Sequence, residues 1–78
     1  MTDPKPVFIR WHDAQSHDGW STIDAILAER RAEVRTLGFL VAQDEHFYYV
    51  ANSVNAEDRA CVMEIPIGCV IEQRNVQL

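Results

Sequence analysis

Hydrophobic and polar residues alternate early in the chain, with Val7, Ile9 and Trp11 interleaved with Phe8, Arg10 and His12. A period of two is that of a half-buried strand, here residues 6–12. Residues 13–19 have no period and are rich in turn formers, so they predict a loop. From Ser21 the period changes. Ile23, Ile26 and Leu27 fall on one face at helical spacing, and Ser21 with Asp24 three positions on has the spacing of a capping box. The pattern predicts a helix over about 22–30. So short a helix is marginal alone and needs a surface to dock on. Trp20, just before the cap, is placed to clamp the loop to that helix as a core anchor.

The segment from Val34 to Ala42 is β-rich and nearly continuous, which suits a strand buried on much of both faces. Gly38 in its middle predicts a bulge or bend. Gln43 to His46 is a polar turn, and Phe47 to Ala51 returns as the hairpin partner. Tyr48 and Tyr49 are adjacent on that strand, so one faces the core and the other does not. Asn52 to Arg59 is a second polar loop, and Ala60 to Ile65 alternates again. Pro66-Ile67-Gly68 breaks the strand as a turn or one helical turn. Cys69 to Glu72 resumes as a last strand reaching Val76.

Five short strands with one bend and a tight turn before the last predict a mainly β (β+α) fold. It is a small five-stranded SH3/Sm-like barrel, with one short helix inserted after the first strand and covering an open end. Curling is also how so short an antiparallel chain hides its edges. Residues 1–5, held extended by Pro4, read as a flexible arm, and residues 6–78 as a single domain.

Composition adds a constraint. With 78 residues, one core rarely supplies more than about 3–5 kcal/mol. Self-association into a homo-oligomer would supply the missing burial. Seven Lys/Arg against twelve Asp/Glu give a net charge of −5, which disfavours nucleic acid as a partner. Arg30, Arg31 and Arg35 are interleaved with Glu29 and Glu33 and read as a solvated helix end. No apolar run approaches the ~20 residues of a membrane span. The first residues lack a basic start followed by an apolar stretch, so a cytoplasmic protein without a signal peptide is expected. Cys61 and Cys69 are then reduced thiols packing as small hydrophobes.

The chemistry-bearing residues concentrate between Arg10 and Trp20. Arg10, Trp11, His12, Asp13, Ser16, Asp18 and Trp20, with Tyr48, form the candidate ligand-binding set. Aromatic faces near arginine, histidine and serine suit a ring stacked above a phosphate. His12, His17, Asp13 and Asp18 lie within seven residues, but without the fixed spacing of a helical metal motif. Ser16, His17 and Asp18 are consecutive and cannot converge on one proton path. Both cysteines sit in apolar strands, where a thiol is inert. No enzymatic activity, cofactor or metal is expected.

The segment Trp11-x-Asp13-Ala14-x-Ser16-x-Asp18-x-Trp20 resembles that of small proteins without assigned activity encoded by tailed bacteriophages and prophages. Leu37-Gly38-Phe39-Leu40 and Ile65-Pro66-Ile67-Gly68 match two further segments of that group, so the resemblance spans roughly residues 7–72. His17 and His46 fall at positions the pattern leaves open. The resemblance implies a phage or prophage origin and action inside the infected cell, and it brings no catalytic residues. The expected function is a non-catalytic oligomeric binding module, of use against host defence. It would capture a small signalling nucleotide or dock on a host protein. The alternatives are a virion structural or assembly protein and, third, an Sm-like nucleic-acid binder.

Overall fold

A computed structural model describes residues 4–14, 19–29 and 32–78. It is a mainly β structure with one short helix. In chain order the elements are β1 (Lys5–His12), α1 (Ile23–Ala28), β2 (Glu33–Gln43), β3 (Phe47–Val54), β4 (Arg59–Pro66), a 3-10 turn over Ile67–Cys69, and β5 (Val70–Asn75). All strand pairs are antiparallel, in the order β4-β3-β2-β1-β5. No ladder joins the edge strands β4 and β5, so the sheet is not closed by hydrogen bonds.

The alternation in β1 does what its period implies. Val7, Ile9 and Trp11 are buried on one face, and opposite them on β2 stand Gly38, Thr36 and Val34. Val50 and Ile65 complete this core, with Leu40, Tyr48, Cys69 and Val70 packed around it. β1 and β4 are separated by two strands, about 14 Å in a flat sheet. Ile9 of β1 and Ile65 of β4 nevertheless share one core, so the sheet is strongly curled.

The bend does not come from Gly38. The β2–β3 register shifts between Leu40 and Ala42, leaving Val41 as the extra residue, and a second shift lies in the β1–β5 ladder between Arg10 and Trp11. Gly38 instead lets β3 approach. A Cβ there would lie 2.6 Å from the Ala51 carbonyl oxygen and 2.7 Å from Val50 Cγ1.

The helical segment departs most from expectation. α1 is six residues long, and its N-cap is Thr22, whose Oγ1 accepts from the Ala25 backbone N–H at 3.1 Å. Ser21 does not fill that role. α1 covers no open end: Ile23 is 69% and Leu27 76% exposed, and no residue of the helix is buried. Trp20 is 104% exposed, so it is no core anchor. Two of the three apolar side chains of the predicted stripe face solvent. The chain leaves the sheet after Asp13, whose N–H donates to the Ala32 carbonyl at 3.2 Å, and the described residues 19–29, which carry α1, form an arm outside the sheet. The molecule is accordingly long, 52 × 22 × 21 Å.

Cys69 packs against the core as a small hydrophobe, whereas Cys61 is exposed and sits at φ 54°, in the left-handed region that costs an L-residue about 1–2 kcal/mol. Proline at 66 ends β4, and the expected helical turn follows it.

The β2–β3 turn is held by one carboxylate. Asp44 Oδ1 accepts from the backbone N–H groups of His46 and Phe47, both at 2.8 Å, and Oδ2 accepts from the Tyr49 hydroxyl at 2.7 Å. These bonds hold the Asp44 carboxyl below its ordinary 3.8, the Tyr49 hydroxyl being the largest cause. The Tyr49 hydroxyl is raised above 10.0, chiefly by the same bond. A depressed carboxyl contributes stability above its unfolded value that is lost as pH falls through the folded one. A raised phenol contributes stability below its unfolded value that is lost as pH climbs through the folded one. Melting temperature is therefore expected to decline below about pH 3.8 and again above pH 10.0. In Asp44→Asn both declines shrink; a variant that tracks the wild type at both extremes would remove this turn from the pH response.

Candidate binding surface

β1 positions the candidate residues, and its period distributes them over two faces. Trp11 lies on the inner face, 8% exposed, with its indole N–H donating to Thr36 Oγ1 at 3.0 Å. Tyr48 is on the same face, half-buried against the core. Arg10 and His12 point outward. The Arg10 guanidinium donates through Nε to Glu72 on β5 at 2.9 Å and through Nη1 to Glu33 on β2 at 3.0 Å. It thus ties both neighbouring strands to β1 across the outer face. Glu33 also accepts from Arg35 Nε at 3.0 Å, and that hydrogen bond is the main reason its carboxyl lies below the usual 4.5; desolvation opposes it, and the charges of Arg10, Arg35 and His12 add to it.

Asp13 is exposed, and its carboxylate accepts from the Ala14 N–H at 2.9 Å, a local turn contact. Trp20 lies out on the arm. Ser16 and Asp18 lie outside the described residues, as do Gln15 and His17. The structure therefore brings Trp11 and Tyr48 to one face and Arg10 and His12 to the other, with Asp13 at the sheet end and Trp20 beyond it.

Two features went unforeseen in the sequence. One is the solvent-facing apolar side of the arm, formed by Trp20, Ile23 and Leu27; its helical spacing was legible, but spacing does not say what the stripe docks on. The other is an apolar groove of about 260 Å³ at the opposite end of the sheet, between Pro6, Leu37, Phe39, Val76 and Leu78. An adjoining hollow of about 490 Å³ shares Pro6, Phe39 and Leu78 and extends to Pro4 and Val54. These residues are far apart in sequence, so no local pattern marks them. Outside the arm, Arg74 stacks over the Phe8 ring at 4.9 Å beside exposed Leu37 on the outer face.

Among the described residues no three His, Cys, Asp or Glu side chains are grouped to hold a metal ion, and no helix is long and apolar enough to cross a membrane. No family model, curated protein or solved structure matches the chain.

Proposed function

We propose that this chain is a non-catalytic, oligomeric binding module of phage or prophage origin that works in the host cytoplasm. Its grip is the segment from Arg10 to Trp20 with the helix that follows. One observation carries the reading: Trp20, Ile23 and Leu27 stand exposed on an arm beyond a well-packed sheet. Placing a tryptophan wholly in water forgoes the large apolar burial that aromatic side chains supply, and such surfaces mark interaction sites. The scaffold is proposed to be an SH3/Sm-like barrel. The strand order supports this, because it leaves β4 and β5 as the two edges and only a three-residue turn links them.

The occupant is a host protein or a small signalling nucleotide. Arg10 weighs toward the protein, since two carboxylates already engage its guanidinium and would compete with a phosphate. A part in virion assembly draws support from the elongated shape with apolar features at both ends.

Thermal melting with a panel of mono-, cyclic and dinucleotides tests the choice. Binding at a hundredfold over Kd adds about 2.7 kcal/mol, a rise of roughly ten degrees or more for a domain this small. Trp20→Ala is expected to abolish the rise without moving the unliganded transition. Flat curves across the panel remove the nucleotide and leave Trp20-dependent retention of a host protein as the expectation. Nucleotide or protein binding unchanged in Trp20→Ala contradicts the assignment of the grip.

A further inference from the structure

We infer that the arm of one copy seats in the apolar groove of a second copy, joining molecules head to tail. This rests on the reading of the arm as a binding surface and adds a second copy of the chain to the partners that surface takes. The two features lie at opposite ends of β1. Pro6 lines the groove, and six residues on, about 20 Å along the strand, His12 leads into the arm. The C-terminal residues are held at the groove end by the Val76 N–H, which donates to the Pro6 carbonyl at 2.9 Å. The arm therefore starts from the end of β1 remote from its own groove.

Exposure supports the same conclusion: Trp20, Ile23 and Leu27 on the arm and Leu37 and Leu78 at the groove are large apolar side chains left in solvent. A head-to-tail chain makes two interfaces per protomer, one through its arm and one through its groove. Charge agrees too. Lys5 stands exposed between the two prolines that line the groove region, Asp24 stands exposed on α1, and neither makes an ion pair among the described residues. Docking brings Asp24 on the arm to the end that carries Lys5. Contact between different surfaces of identical chains closes into a ring when the rotation permits, and otherwise extends as a filament.

Sedimentation of the full-length protein tests this with two variants, Leu27→Glu on the arm and Leu78→Glu at the groove. Both side chains are exposed, 76% and 95%, so circular dichroism should report an unchanged fold. The wild type is expected to assemble, and each variant alone to sediment as a monomer of 8.9 kDa at the same concentration. Mixed in equal amounts, the two variants should form a dimer, because one intact arm and one intact groove remain between them. The proposal is overturned by a wild type that stays monomeric, by variants that keep the wild-type mass, or by a mixture that stays monomeric while the wild type assembles. A monomeric wild type that still shows Trp20-dependent nucleotide stabilisation would sink the head-to-tail contact and leave the binding module standing.

Discussion

Trp11→Ala is expected to leave the protein largely unfolded at ordinary temperature. The indole is 8% exposed and lies in the single core beside Ile9 and Ile65. Truncating a buried tryptophan costs about 3–5 kcal/mol, and a domain of this size seldom has more than about 3–5 kcal/mol to lose. The variant also removes the indole N–H that Thr36 Oγ1 accepts, leaving that hydroxyl its contact with Met63 Sδ. Trp11→Phe keeps much of the apolar area and gives up that bond, so its loss should be intermediate. Circular dichroism melts of the three proteins read the order directly. If Trp11→Ala melts with the wild type, the indole belongs to a ligand surface and the core described above is wrong.

Gly38→Ala is the second large effect. Its Cβ would meet a backbone carbonyl, that of Ala51, at 2.6 Å, and Ala51 is paired with Phe39 in the β2–β3 ladder, so the obstacle cannot rotate away. Overpacking of this kind costs about 1–3 kcal/mol, more than the roughly 0.5–1 kcal/mol that alanine recovers from glycine's chain entropy. The melting temperature should fall by about 4–8 °C for each kcal/mol lost. Gly68→Ala is the control: nothing lies within 4 Å of its added Cβ, and its transition should hardly move. Equal melting of the two variants would mean that β3 does not approach β2 as closely as described.

The strands were legible because their information is local. The alternation of Val7, Ile9 and Trp11 places those side chains inside, and the break at Pro66 places the helical turn. The opposite fates of Tyr48, packed on the core, and Tyr49, bonded to Asp44, follow from adjacency on one strand. What failed was inference about partners. Trp20 and the helix stripe have the composition of core, and sequence spacing cannot distinguish a core within the chain from one shared with another molecule. Gly38 announced an unusual backbone site, yet a bend and a close approach place the same demand on the sequence; only the Val41 register shift separates them. The groove joins Pro6, Phe39 and Leu78 through pairing of both chain ends, and no window of sequence contains it.

In the candidate site, residue type was informative and convergence was not. Arg10 and Trp11 are neighbours in sequence and therefore point to opposite faces of β1, one to a carboxylate pair and the other to the core. Their closeness in sequence suggested a joint role that the strand period forbids within one chain. The exposed remainder of the segment, Asp13 and Trp20, leads outward to the arm.

Amide hydrogen exchange, followed from dilute to concentrated protein, tests most directly whether the arm is a surface held out for another molecule. The ladders of β1 to β5 should be slow to exchange throughout. The amides of α1 should exchange almost freely in dilute monomer and become protected only as concentration rises or a partner is added. Protection of α1 equal to that of the strands in the dilute monomer would show that the helix belongs to its own chain's fold, and the arm would then have nothing to offer.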